Sequence, residues 1–249
     1  MGTGYSTRTL ARARVRPQVC VVDELRISEL FVSLQGEGAS IGVPATFLRL
    51  GDCNLNCQYC DTRYTWDWQR HIRRDQLTVE TIFVAAARIR RFAPRRLVIT
   101  GGEPLLQQAA LEELITELRE FFVEIETNGT LAPSQRLSTC VGQWNVSPKL
   151  SSSSVDLPSR IKPDALSAFR DTQRSWLKFV VCGPSDLPEI KELVVSLHWP
   201  PDKVILMPEA ATAAQLAERS IPVAEAALEY GYRFSTRLHV ALWNNERAR

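Results

Sequence analysis

Three cysteines stand close together in GDCNLNCQYCDT, residues 51–62: Cys53, Cys57 and Cys60, spaced C-x3-C-x2-C. Thiolates are soft ligands that suit zinc, iron–sulfur clusters or redox exchange. A four-iron cluster that only carries electrons takes four of them. Three leave one iron without a protein ligand, open to the amine and carboxylate of a small molecule, and catalytic metal sites keep such a position. Zinc would need a fourth ligand. His71 is the nearest histidine, but it lies in the polar stretch WQRHIRRD. A redox pair of Cys57 and Cys60 would leave Cys53 without a task. The open iron–sulfur site accounts for the most residues. Cys20, Cys140 and Cys182 are scattered singly, which argues against a second cluster.

The elements that must hold this loop alternate along the chain. Strands are expected over 25–35, 45–50, 95–100, 121–127, 143–147, 175–181 and 203–207, with a closing strand over 232–243. Helices are expected over 78–92, 106–120, 186–197 and 212–230. The first would be capped by Thr78 and would bury Ile82, Ala85, Ala86 and Ile89 on one face. Such alternation implies an α/β fold, a parallel sheet with helices outside it. About six β-α units are too few for a closed eight-fold barrel. They suffice for a partial, open one, whose site faces the strand C-termini. The cysteine loop, Gly101-Gly102-Glu103, Thr127-Asn128-Gly129 and Ser147-Pro148-Lys149 each follow a strand there. LSSSSVDLPSR, 150–160, reads as a mobile surface loop.

Composition narrows the class. The 249 residues are 45% hydrophobic and 23% charged, ordinary for a globular chain able to bury a core. A net charge of +2 without a dense basic face gives no reason to expect nucleic acid. No apolar run reaches the roughly 18 residues of a membrane span. Clustered cysteines in a chain this long point to a reducing, cytoplasmic setting rather than to disulfides. Residues 1–24 carry several arginines and no acid before Asp23. Gly2 and Ser6 fit a loose myristoylation pattern, and the bias also fits a transit peptide. The reading preferred is a flexible leader at 1–24 followed by one domain over 25–249.

The cysteine loop, with Tyr59 before its last cysteine, and Gly101-Gly102-Glu103-Pro104 after a strand resemble the radical S-adenosylmethionine superfamily. That resemblance implies a 4Fe-4S cluster on Cys53, Cys57 and Cys60. It also implies S-adenosylmethionine chelated by the open iron and cleaved by one electron to a 5′-deoxyadenosyl radical. The ordered set SLQGEGASIGVPATFLRLGDCNLNCQYCDT, VITGGEP, ETNGT and NVSPK, within about 25–240, is similar to one branch of it. Members of that branch contract 6-carboxy-5,6,7,8-tetrahydropterin to 7-carboxy-7-deazaguanine, with Mg²⁺ and loss of ammonia, on the way to queuosine and other deazapurines. They are carbon–nitrogen lyases in which the cofactor radical, not a side chain, does the chemistry.

The resemblance assigns residues. Tyr59, Cys60 and Asp61 would line the S-adenosylmethionine site, and Gly102 would let the chain approach the methionine amino group. Ser147, Pro148 and Lys149 match a further cofactor-contacting segment. Glu126 and Asn128 would serve the ribose, although an Asn-Gly turn explains Asn128 equally well. Thr62, by itself a turn residue, would give Mg²⁺ a hydroxyl. One neutral oxygen binds that ion poorly, so the substrate carboxylate would complete the shell. Leu34, Gln35, Gly36, Thr100 and His239 would contact the pterin. Glu37 would accept from its guanidine-like edge, and Arg49 would face its carboxylate. The 33–40 turn and the tail are expected to close over the substrate. LMPE, 206–209, has no assignment. Implied partners are a one-electron donor such as flavodoxin or ferredoxin and a second copy in a homodimer. The alternatives are another radical enzyme, such as an activator of a glycyl-radical protein, and a non-catalytic zinc-binding module.

Overall fold

The computed structural model describes residue 1, residues 24–244 and residues 246–249. The leader's myristoylation and transit patterns, and Cys20, fall outside the described residues. Period-two alternation builds the sheet. In FVEIET, Val123 and Ile125 pack on the outer, helix-covered face, and Glu124 and Glu126 take the other. The strands are β1 (Glu24–Leu34), β2 (Pro44–Leu50), β3 (Thr78–Thr81), β4 (Arg96–Gly101), β5 (Phe122–Thr127), β6 (Gln143–Val146), β7 (Ser175–Val181), β8 (Val204–Pro208) and β9 (Arg233–Phe234). They form one sheet in the order β3-β1-β2-β4-β5-β6-β7-β8-β9. Every pair from β2 to β9 is parallel, while β1 runs antiparallel to β2 and β3. β3 and β9 do not pair, so the barrel is open, as the alternation implied.

The outer face supplies the core. Leu97, Ile99, Ile125, Trp144, Val146, Leu177 and Phe179 pack against Ile89, Leu111, Leu114, Phe169 and their helical neighbours. Trp144 meets Phe169 edge-on, with ring centroids 5.0 Å apart. Burying each such side chain contributes about 1.5–3 kcal/mol. The inner face is polar. Glu124, wholly buried, accepts from Gln35 (2.8 Å), Ser40 (2.6 Å), Asn145 (2.6 Å) and Arg96 (2.7 Å). The 35–43 segment thereby plugs the inside of the half-barrel.

Three expectations fail. The helix expected over 78–92 begins at Ile82, and Thr81 rather than Thr78 caps it, accepting from the Val84 N–H. The β-branched run Thr78–Thr81 instead pairs with Leu25, Ile27 and their neighbours as an edge strand. The expected face of Ile82, Ala85, Ala86 and Ile89 is nonetheless buried. The closing strand over 232–243 is only two residues long, pairing with Ile205 and Leu206 of β8. The chain then turns inward at Arg237 and becomes the helix Leu238–Trp243, which carries His239. Residues 150–160 are a wedge rather than a loose loop. Leu150, Ser153 and Arg160 are buried, and Ser153 accepts from the Gln58 N–H at 2.9 Å. Arg160 holds Glu189 (2.5 Å) and the Lys149 carbonyl (2.9 Å). Among the described residues no helix is long and apolar enough to cross a membrane.

Candidate active site

The cysteine loop leaves β2 and is pinned by the ends of the next two parallel strands. The Gly102 N–H donates to the Leu50 carbonyl (3.1 Å), and that of Glu103 to the Asp52 carbonyl (2.9 Å). A Cβ on Gly102 would stand 2.0 Å from the Asp52 oxygen, so the two loops touch only because this residue has no side chain. From β5, Asn128 donates to Asn54 (2.9 Å), which donates on to Thr130 (2.8 Å). Glu103, fully buried, ties the same loops by accepting from Leu105 (3.0 Å), Thr127 (2.8 Å) and the Asn128 N–H (2.7 Å). Burial keeps the Glu103 pKa above the usual carboxylate value despite these donors.

Cys53, Cys57 and Cys60 share one wall of a cleft with Leu55, and Val155 of the wedge packs behind them. None is in a disulfide. The Leu55 N–H points at the Cys53 sulfur (3.5 Å), and the Trp66 indole N–H donates to that of Cys60 (3.3 Å). Burial pushes the bare Cys53 thiol up to about 12 and raises Cys57 as well. Bound iron reverses that bias, because a coordinated thiol loses its proton. Among the described residues no three His, Cys, Asp or Glu side chains converge on a single ion. A cubane cluster does not ask for that, since each thiolate holds a different iron. The donor set, its apolar backing and the N–H groups aimed at sulfur therefore fit a 4Fe-4S cluster.

The cleft is open to solvent on one side. It also takes in Tyr59, Asp61, Thr62, Gly102, Glu126, Asn128, Ser147 and Lys149. Leu34, Gln35, Gly36, Glu37, Arg49, Thr100 and His239 complete its lining among the expected residues. Pro148 does not line it. The side chains are already ordered by one another. Gln35 donates to Glu126 (3.0 Å), as does Thr100 (2.7 Å). Lys149 donates to Ser147 (3.2 Å). The Asn128 side-chain oxygen accepts from Thr130, and its amide is spent on Asn54. Arg49 pairs with Glu29 at 2.7 Å, and Tyr64 donates to the same carboxylate at 2.9 Å.

A charged cluster lines the same cleft. Glu37 is paired with Lys178, lies 3.5 Å from Arg237, and has His239 at 4.0 Å. Arg237 also pairs with Asp61 and donates to the Ala210 carbonyl. Burial alone would raise the Glu37 pKa. Lys178, Arg237 and His239 outweigh it and hold the carboxyl far below its usual range. Asp61 is likewise pushed up by burial and pulled lower overall by Arg237. His239 is lowered, burial outweighing Glu37. Turn and tail are joined: Leu238 N–H donates to the Gly36 carbonyl (2.8 Å) and Gly38 N–H to Ser235 Oγ (3.0 Å). A Cβ on Gly36 would meet His239 Nδ1 at 2.0 Å.

Lys178 and Arg237 escaped the sequence reading. Lys178 has a signal, a lone cation inside the apolar strand SWLKFVV. Arg237 has none, since its partners lie 176 and 200 positions away along the chain (237 − 61 and 237 − 37). Met207 and Glu209 of the unassigned LMPE line the cleft too. So do Phe31 and Phe47, stacked at 5.1 Å.

An open parallel half-barrel with a three-cysteine loop after its first parallel strand is the architecture of a radical S-adenosylmethionine protein. Residues 49–137 match the Radical SAM superfamily. Within it, the chain belongs to the 7-carboxy-7-deazaguanine synthase family. It is 38% identical over 227 residues to the 7-carboxy-7-deazaguanine synthase of Pyrobaculum aerophilum, covering 90% of this chain and 97% of that one. It is 38% identical over 244 residues to the Halobacterium salinarum enzyme, covering 89% and 91%. The crystal structure of QueE from Escherichia coli superposes with a TM-score of 0.66 at 26% identity, over 87% of this chain and 95% of that one. Membership carries a 4Fe-4S cluster and S-adenosylmethionine with it.

Proposed function

We propose that the cleft contracts 6-carboxy-5,6,7,8-tetrahydropterin to 7-carboxy-7-deazaguanine, with Mg²⁺ assisting and ammonia leaving. The observation that carries this reading is that one cleft brings the three thiols together with the buried, charge-paired Glu37, Lys178 and Arg237. The cluster and S-adenosylmethionine supply the radical when bound; the protein's part is to hold, orient and exclude water. Cys53, Cys57 and Cys60 hold the cluster. Tyr59, Asp61, Gly102, Glu126, Asn128, Ser147 and Lys149 surround S-adenosylmethionine. Asn128 does so while its amide fixes Asn54, so its contribution is chiefly to the shape of the loop. Thr62 offers Mg²⁺ one oxygen. It is supported by position alone, 3.7 Å from the Cys60 sulfur, at the border between the two halves of the cleft.

Lys178 and Arg237 hold the Glu37 carboxyl far below its usual range, so it is ionised at neutral pH, as an acceptor for a guanidine-like edge must be. Part of its capacity is already used by Lys178, so pterin binding exchanges or shares that partner. Arg49 keeps its charge beside Glu29 and faces the substrate carboxylate. Gln35, Leu34, Gly36, Thr100 and His239 bound the ring. The bonded turn and tail keep water from the reacting carbon. A one-electron donor such as flavodoxin or ferredoxin supplies the electron. Residues 25–249 act as one domain, and the working unit is a homodimer in the cytoplasm. Anaerobic incubation with the pterin, S-adenosylmethionine, Mg²⁺ and a reductant tests the reading. It expects 7-carboxy-7-deazaguanine and ammonia in equal amounts. No deazaguanine from protein with an intact cluster removes the substrate assignment.

A further inference from the structure

We infer that Trp66 is a positioning residue that raises the reduction potential of the cluster through its indole N–H bond to the Cys60 sulfur. The Nε1–Sγ distance is 3.3 Å, and the ring lines the same cleft as the three thiols. Nothing in the spacing of the cysteine loop announces this contact, since Trp66 follows the last cysteine by six residues. The backbone aims it. The turn Arg63–Thr65 ends at Trp66, whose own N–H donates to the Arg63 carbonyl at 3.1 Å. Thr65 is fully buried, and both its N–H (2.9 Å) and its hydroxyl (2.8 Å) donate to the Thr62 carbonyl. The Asp52 N–H then donates to the Thr65 carbonyl at 2.7 Å, closing the turn onto the start of the cysteine loop. The indole is thus tied to the residues flanking Cys53 and Cys60 at both ends.

Such a bond is not automatic in this protein: the buried indole N–H groups of Trp144 and Trp199 have no partner among the described residues. It also differs in kind from the contact at Cys53, which comes from the main-chain N–H of Leu55 and which a side-chain substitution other than proline leaves in place. Trp66 is a side-chain donor on a ligand sulfur, and the Thr62 hydroxyl stands further off at 3.7 Å. One-electron reduction adds negative charge that spreads onto the ligand sulfurs. A donor to sulfur stabilises the reduced state more than the oxidised one, so the potential rises.

The inference rests on Cys60 ligating the cluster, not on the identity of the substrate. Its test is a redox titration followed by electron paramagnetic resonance, with iron counted per chain, without S-adenosylmethionine or pterin. Trp66→Phe keeps an aromatic ring and removes the donor. It should load iron as the parent does and show a reduction equilibrium constant about tenfold smaller, which is 59 mV for one electron. A full cluster titrating at the parent potential overturns the inference. The parent protein, with its tryptophans labelled with ¹⁵N in the indole, provides a second measurement that needs no variant to fold. Pulsed resonance on its reduced cluster should detect a coupled ¹⁵N, and absence of that coupling also overturns the inference. Failure of the ligation itself would look different, as a parent protein without a cluster.

Discussion

Replacing Gly102 by Ala should detach the cysteine loop from the strand that supports it. The new Cβ would lie 2.0 Å from the Asp52 carbonyl oxygen, 2.6 Å from its carbon and 3.1 Å from the Cys53 Cβ. Real Cβ atoms do not approach closer than 3.0 Å, so the backbone must open by at least 3.0 − 2.0 = 1.0 Å. Two of the three atoms met are main chain and cannot rotate away. Overpacking of this kind costs about 1–3 kcal/mol. The displacement also stretches the Gly102–Leu50 and Glu103–Asp52 bonds, each worth about 1 kcal/mol. The sum is about 3–5 kcal/mol, which for a chain of this size lowers the melting temperature by roughly 6–20 °C. Because Cys53 is adjacent to the clash, iron per chain should fall as well. Gly183→Ala is the control, since nothing lies within 4 Å of its Cβ. Differential scanning of the reconstituted proteins, with iron analysis, decides the matter. A Gly102→Ala protein that melts and loads like Gly183→Ala would refute the reasoning.

Arg237→Met leaves Asp61 without its partner, while Glu37 retains Lys178. Losing one member of a buried pair costs about 3–5 kcal/mol. The Asp61 side chain is 39% exposed and can be rehydrated, so a smaller loss of about 2–3 kcal/mol is expected in urea unfolding. A loss below about 1 kcal/mol contradicts the staple. Glu37 and Asp61 both have folded pKa values below their unfolded ones. Their stabilisation is complete above the unfolded carboxylate pKa of about 4 and is lost as pH falls through the depressed values. Melting temperature should therefore drop with acidification below about pH 4, and Glu37→Gln should flatten that slope; a parallel slope rules Glu37 out as a contributor. Thr62→Ala should leave iron content intact and weaken the Mg²⁺ dependence of turnover, and an unchanged Mg²⁺ titration removes its role.

Much of the fold was written in local pattern. The parallel strands, the helical face of Ile82, Ala85, Ala86 and Ile89, and the loops after β2, β4, β5 and β6 were all legible. Each is encoded within a few residues by periodicity or by glycine. The misreadings share a cause, which is tertiary partnership. Thr78–Thr81 could begin a helix or extend a sheet, and only the free edge of β1 decides. YRFSTRLHVALW alternates like a strand, yet it pairs with β8 only through Arg233 and Phe234, and helical packing of Val240 against Ala210 and Leu216 takes over. The serines at 151–154 look loose, yet Ser153 and Val155 have the cysteine loop to rest on. The same holds at the site. The cysteines and glycines announce themselves by spacing. The ionic wall does not, because Glu37, Asp61, Lys178 and Arg237 meet only after folding. The polar interior was half visible in the two glutamates of FVEIET, where a strand buried on both faces would ordinarily be apolar throughout.

The account turns on a cluster whose fourth iron is open to S-adenosylmethionine. The direct measurement is the electron paramagnetic resonance spectrum of the reduced, anaerobically reconstituted protein before and after that compound is added, with no pterin present. A cubane signal whose shape and g-values change on addition is the expected result. A signal indifferent to saturating S-adenosylmethionine, or no cubane signal with Cys53, Cys57 and Cys60 intact, would contradict it.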